Sequence, residues 1–126
     1  EYCEIVIGKK CILNGGNMAV AENESAINIG DNCLFSRNID IVTTDSHSIL
    51  DKDTGERLNY AKNVFVGNNV WIGADVSLLK GAYVADNCVV GRKALVTKEY
   101  HEENCIIAGI PAKLIKRDIE WKPERI

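Results

Sequence analysis

From residue 66 onward an aliphatic side chain returns at every sixth position: Val66, Ile72, Leu78, Val84, Val90 and Val96. Four residues after each of the first five stands a small, mostly apolar residue: Val70, Val76, Ala82, Cys88 and Ala94. Gly67, Gly73 and Gly91 directly follow three of the aliphatics. A period of six fits neither an amphipathic helix, which repeats at about 3.6, nor one long strand, which repeats at about 2; it suits short strands separated by regular turns. Each hexad then forms one flat side of a coil. The first position points inward, the fifth fills a tight inward corner, and Gly or Asn-Asp pairs are expected to supply the turn conformations. Stacked coils hydrogen-bond as parallel strands about 4.8 Å apart. The alternative for a β-rich chain, a two-sheet sandwich, is disfavoured by the repeat.

The same unit occurs upstream as Ile7-Gly8-Lys9-Lys10-Cys11 and Ile29-Gly30-Asp31-Asn32-Cys33, continuing through Phe35, Ile39 and Ile41. Ile7 and Ile29 are not separated by a multiple of six, so the coil must break within Asn14–Ser25, where Asn14-Gly15-Gly16 is a turn signal. A longer break between Ile41 and Val66 contains TTDSHSILDKDTGERLN, Thr43 to Asn59, and with it His47, one of only two histidines. The excursion is taken as about 43–63. Long excursions from a repeat cluster on one face and carry function.

With 126 residues, 46% of them hydrophobic, the chain is sized for one domain, 1–126, with its own core. A net charge of −3 without a basic run gives no support to nucleic-acid binding. No apolar stretch approaches the roughly 18 residues of a membrane span, and no leader precedes a cleavage site, so a cytoplasmic protein is expected. The chain begins at Glu1 without an initiator Met, as a fragment lacking upstream residues would. Five cysteines without a CxxC pair argue against a zinc ribbon or a disulfide framework and for a reducing compartment. Cys11, Cys33 and Cys88 each stand four residues after an aliphatic, as small core hydrophobes would.

The hexads, Asn68–Gly73 (NNVWIG), the TTDSHSI stretch with its excursion, and the closing AGIPAKLIK of Ala108–Lys116 together resemble the hexapeptide-repeat acyltransferases. The nearest branches are the galactoside and maltose acetyltransferases and the O-acetyltransferases of capsule and lipopolysaccharide sugars. The similarity covers nearly the whole chain, and is strongest from Ile27 to Lys116. It implies a left-handed parallel β-helix with an inserted loop and a short C-terminal extension, assembled as a homotrimer with acetyl-CoA between subunits and no metal. The handedness comes from the resemblance alone, since crossover connections are right-handed in about 98% of cases.

His47 matches the family's catalytic histidine. A sugar hydroxyl is a poor nucleophile, and a neutral imidazole can take its proton as it attacks a thioester carbonyl. Such a base needs an orienter: Asp45, two residues earlier and so on the same face of an extended strand, or a backbone carbonyl. Asp45 bracing the loop through an Asx turn is the other reading. His101 is expected at the surface. Trp71 occupies the outward sixth position, exposed unless a ligand or a second subunit covers it, and the resemblance places it beside the pantetheine arm. The remaining cofactor contacts that the resemblance implies are Ala74, Arg92, Thr97, Lys98, Lys113 and Lys116, the lysines serving the adenosine phosphates as point charges.

Arg92-Lys93 departs from the family, which has small residues after the glycine equivalent to Gly91. These cations would clasp phosphate, narrow the groove or point away. The Asn and Asp with which the galactoside branch holds its sugar do not align cleanly, leaving Asn14 and Asn17 nearby as substrate candidates. The loop ILDKDTGERLN and the ending Ile119-Glu120-Trp121 look instead like the capsule-sugar branch, in which Asp51, Asp53, Glu56 and Arg57 would meet sugar hydroxyls. The resemblance therefore implies acetyl transfer from acetyl-CoA to a hydroxyl of a sugar or saccharide precursor. Acetylation of an amino-sugar nitrogen and a non-catalytic scaffold are the alternatives. A metal hydrolyase of the γ-carbonic anhydrase type needs three imidazoles on one metal, and two histidines do not supply them.

Overall fold

The computed structural model describes residues 2–126 and contains strands, turns and no helix among them. The chain winds as a three-sided coil. The first turn comprises β1 (Glu4–Ile7), β2 (Ile12–Leu13) and β3 (Gly16–Ala19), and the second β4 (Ala26–Ile29), β5 (Leu34–Phe35) and β6 (Ile39–Val42). The third comprises β7 (Val64–Val66), β8 (Trp71–Ile72) and β9 (Ser77–Leu78), and the fourth β10 (Tyr83–Val84), β11 (Val89–Val90) and β12 (Leu95–Val96). A partial fifth turn, β13 (Glu99–Tyr100) and β14 (Ile106–Gly109), is followed by β15 (Ala112–Lys116). Strands of one side stack into one sheet: β1-β4-β7-β10-β13 on the first face, β2-β5-β8-β11-β14-β15 on the second, and β3-β6-β9-β12 on the third. The pairs are parallel except β14 with β15, which folds back antiparallel through Ile110-Pro111 and closes the second face. Parallel in-register stacking excludes the sandwich.

The hexad explains the core residue by residue. Val66, Ile72, Leu78, Val84, Val90 and Val96 are completely buried, and Val70, Val76, Ala82, Cys88 and Ala94 fill the corners. Val66 lies beside Val84 and Leu78 beside Val96, eighteen positions on, so three hexads make one turn and each inward side chain stacks on its like. Burying an aliphatic side chain of this size contributes roughly 1.5–3 kcal/mol. Cys33, Cys88 and Cys105 belong to this core, whereas Cys11 is only half-buried because no coil lies beneath it among the described residues.

The turns use the expected Asn, Asp and Gly residue types, but not the glycines that directly follow the aliphatics. Left-handed backbone falls at the fourth hexad position, at Asn69 (φ 54°), Asp75 (62°), Gly81 (83°), Asn87 (61°) and Lys93 (67°), not at the glycines of the second position. Asn, Asp and Gly tolerate this conformation best, and three of these side chains also take part in bridges between neighbouring coils: Asn38 Nδ2 donates to Asp75 at 2.8 Å and Asn69 Nδ2 to Asn87 at 3.0 Å. The glycines serve close approach instead. A Cβ on Gly73 would lie 2.8 Å from the backbone nitrogen of Arg92 in the next coil, and one on Gly91 would lie 2.9 Å from Ala108 Cβ.

Both long interruptions leave the prism at the same place, the corner between the third and first faces. One is the β3–β4 connection, where Glu22, Asn23 and Glu24 all have positive φ, and the other is the β6–β7 connection, 43–63. The shorter corners at Leu79–Gly81 and Thr97–Lys98 lie above them on the same edge.

Candidate active site

At this excursion corner, polar groups replace the aliphatic core. The buried polar side chains among the described residues are Ser25, Thr43 and Asn59, and all three sit here. Ser25 Oγ and Thr43 Oγ1 share a hydrogen bond of 2.7 Å, and Ser25 Oγ donates to the Ala21 carbonyl at 2.7 Å, tying the two excursions together. Arg57 reaches across to Glu22 at 2.6 Å and lies 5.0 Å from the Tyr60 ring centroid, while Thr44 donates to the same Glu22 carboxylate. The Arg57 guanidinium and then the Thr44 hydroxyl hold Glu22 below the ordinary carboxylate range.

His47 is presented by a tight bend. Thr44 Oγ1 accepts the Ser46 N–H at 3.0 Å, and Ser46 itself is left-handed, with φ 69°. His47 is exposed, and its ring makes no hydrogen bond or ring contact among the described residues. Asp45 does not reach the ring. Its carboxylate pairs with Lys80 of the next coil at 2.8 Å and accepts from Asn59 Nδ2 at 3.0 Å, and these two, Lys80 first, hold it below its ordinary pKa. The same Asn59 amide donates to the His47 main-chain carbonyl at 2.8 Å. Asn59 and Lys80 were not singled out from the sequence. The signal in reach was the placement of a small amide at the far end of a polar excursion, and it gives no hint of a partner.

Beyond this clamp the loop is a small hairpin with an antiparallel bridge from Leu50 to Arg57. Asp51 accepts the N–H groups of Asp53 and Thr54, each at 2.9 Å, so its carboxylate caps its own turn and is held below the ordinary range. Arg57 is likewise engaged within the chain. Of the loop residues expected to meet sugar, these two are occupied in bracing it. His101 is exposed, as expected. It lies 2.6 Å from Glu99 and packs on Tyr83 at 4.2 Å between ring centroids.

The cofactor candidates divide into two groups. Trp71 stands on the second face in register with Val89, and Val89 in turn with Ile106, which pairs with Lys116. Lys113 lies opposite Ala108 on that face, and Ala74 and Arg92 are at its far edge. Trp71, Ala74 and Arg92 line an open groove of about 400 Å³ together with Ser36, Arg37 and Gly91. Arg92 is solvent-exposed and 3.7 Å from Asp75, and Lys93 is the left-handed residue at its corner. On the other side of Trp71, Trp121 packs at 5.9 Å with its indole N–H on the Asn69 carbonyl at 2.7 Å, and a second groove of about 410 Å³ includes Asn14, Lys122 and Arg125. Trp71 is thus 38% exposed, more covered than its outward position suggested, because the C-terminal segment shields it.

Thr97 and Lys98 lie elsewhere, at the excursion corner above Lys80, with Lys98 Nζ 5.8 Å from the Tyr100 ring centroid. Asn17 is on β3 of the third face. The excursion corner and the second face are on opposite sides of a three-sided prism, so one chain does not bring His47 to Trp71. Buried thiols offer no competing nucleophile: burial pushes Cys33 up to about 11 and Cys105 up to about 12.

Residues 63–98 match the family model of the bacterial transferase hexapeptide (six repeats). The chain is 40% identical over 119 residues to a polysialic acid O-acetyltransferase of Neisseria meningitidis, covering 94% of this chain and 55% of the relative. It is 34% identical over 118 residues to a polysialic acid O-acetyltransferase of Escherichia coli O1:K1 / APEC, covering 94% of this chain and 38% of the relative. The crystal structure of a polysialic acid O-acetyltransferase superposes with a TM-score of 0.92 at 37% identity over 98% of this chain and 58% of that one. The chain therefore spans about half the length of these relatives or less. The coil is the left-handed parallel β-helix that the repeat and the resemblance implied, and the chain belongs to the hexapeptide-repeat acyltransferase family.

Proposed function

We propose that the protein is an O-acetyltransferase that moves an acetyl group from acetyl-CoA to a saccharide hydroxyl, with His47 as general base. The observation that carries this reading is the exposed imidazole of His47 at a corner that holds every buried polar side chain among the described residues. Acetyl-CoA supplies an activated thioester carbonyl. The groove beside Trp71 suits its donor arm: it is open, and Gly91 in its lining presents backbone without a side chain. Arg37 and Arg92 at the rim suit phosphate, as do Lys113 and Lys116 higher on the same face. Trp71 offers an indole to the pantetheine, and Ala74 its main chain. His47 takes the proton of the attacking hydroxyl and returns it to the departing thiol, while the new ester bond forms and the thioester bond breaks.

The site requires a second copy. His47 and the Trp71 groove face opposite ways in one chain, so a cyclic trimer that sets one subunit's excursion corner against the next subunit's groove assembles both halves. In that arrangement Thr97 and Lys98 reach the donor from the His47 side, and Asn14 and Asn17 border the acceptor. The names of the relatives put polysialic acid at the head of an acceptor panel.

Incubation of the chain with acetyl-CoA and a panel of polysialic acid, neutral sugars and amino sugars, following thiol release and locating the acetyl group by NMR, tests the reaction. Ester formation is expected. Amide formation would shift the reading to the nitrogen acceptor, and binding of acetyl-CoA without turnover of any acceptor would leave a scaffold. Light scattering is expected to give about three times 13.9 kDa, and a monomer would remove the shared site.

A further inference from the structure

We infer that Asn59 is the positioning residue of His47, acting through the main chain of the segment that carries the imidazole and not through its ring. The inference rests on the acetyltransferase reading for its catalytic consequence, though not for its geometry.

Asn59 is almost fully buried, yet each of its four amide hydrogen-bonding positions is used. Nδ2 donates to Asp45 Oδ2 at 3.0 Å and to the His47 carbonyl at 2.8 Å. Oδ1 accepts the Ile49 N–H at 2.7 Å and Arg57 Nε at 3.4 Å. Three of these partners are residues 45, 47 and 49, alternate positions centred on the histidine. One side chain thereby holds the backbone at and after His47, through the His47 carbonyl and the Ile49 N–H, and the Asp45 carboxylate before it, on either side of the left-handed Ser46. The clamp is anchored to the prism. Lys80, on the next coil, holds Asp45 at 2.8 Å and donates to the Tyr60 carbonyl at 3.4 Å, beside Asn59 itself.

No other side chain combines these bonds. A carboxylate at 59 would lose both donors and face the Asp45 carboxylate, and an aliphatic would leave the His47 carbonyl and the Ile49 N–H without their partner. A fully satisfied buried network specifies one arrangement of the groups it joins. A general base must lie within hydrogen-bond reach of the proton it takes, and a displacement of about 1 Å can cost on the order of 10²-fold in rate. Because Asn59 touches neither ring nitrogen, its loss should lower the rate without moving the pH at which the base titrates.

The test compares full-length wild type, Asn59→Ala and the near-isosteric Asn59→Asp, with acetyl-CoA and polysialic acid as substrates. Each variant is first checked for its strand signal by circular dichroism and its assembly by light scattering, and Asn59→Asp serves if the alanine variant does not fold. The expected result is a fall in kcat of roughly 30- to 300-fold in both variants, with the KM for acetyl-CoA within about threefold and, in Asn59→Ala, which adds no charge, the acid limb of the pH-rate profile unmoved. A readout independent of turnover comes from NMR of the two imidazoles, assigned with His47→Ala: the His47 signals should broaden or split while those of His101 stay fixed. A kcat within threefold of wild type, a displaced acid limb with an intact plateau in Asn59→Ala, or unchanged His47 signals would each overturn the assignment. If wild type transfers acetyl to no acceptor, the acetyltransferase reading fails, and the imidazole signals still decide whether Asn59 positions His47.

Discussion

The excursion corner and the second face differ in how their polar groups are satisfied. At the corner Glu22, Asp45, Arg57, Asn59 and Lys80 are paired with one another inside the chain, and the imidazole of His47 stands out from that network. On the second face an exposed indole and the cations Arg37 and Arg92 border an open groove, and Arg92 has only a loose partner in Asp75. The lesson is one of division. On the proposed reading, the group that would move a proton is preorganised by its own chain, whereas the surface that would receive a long anionic donor is left to be completed by that donor and by a second copy.

The strongest challenge to this contrast is His47→Ala. Activity should fall by roughly 10²- to 10⁴-fold while acetyl-CoA affinity changes by no more than a few fold, because a general base acts on the acceptor. Parallel loss of donor binding, measured by calorimetry, would erase the distinction between the two regions. Arg92→Ala probes the other side. Its surface ion pair contributes little to stability, so the melting temperature should hold, while acetyl-CoA binding should weaken by about 1.5–3 kcal/mol and the loss should shrink at high salt. Unchanged or tighter binding would mean that Arg92 crowds the groove.

Acid should separate the regions next. The folded carboxyl of Asp45 is depressed by Lys80 and Asn59, so its contribution is fully present above the unfolded value near pH 4 and is lost as pH falls through the lower folded value. Glu22, depressed by Arg57, acts in the same direction. Hydrogen-exchange protection of the Ile49 amide should therefore decline below about pH 4 before that of Val90 on the second face does. Simultaneous loss would show that the corner has no separate stability. The smallest effect belongs to Lys93→Gly, which relieves a left-handed lysine and should raise stability by up to about 1 kcal/mol in thermal unfolding without altering turnover.

Much of the prism was legible in the chain. The inward aliphatics, the corner residues and the shared edge of the two interruptions follow from spacing, and His47 stood out as a histidine on a polar excursion. The glycines were legible as glycines but not for their reason, since their lack of a Cβ matters to the coil above and below, which no local turn rule contains. Trp71 was placed outward by its hexad position, yet its partner Trp121 lies fifty positions on and was brought to it only by the returning C-terminal segment. Asp45 was legible as a neighbour of His47, and its binding to Lys80 and Asn59 was not.

By itself the sequence determined the six-residue period, and hence side length, inward face and corner, because these depend on backbone stereochemistry and hydrophobic alternation within a few residues. Only the tertiary structure decided which residues meet between turns. Ile7 is set beside Ile29, and Ile29 beside Val66, across interruptions of different length. Strand pairing absorbs those lengths in loops, so the contacts of Asn59 and the separation of His47 from Trp71 follow from how the coils stack and not from any distance along the chain.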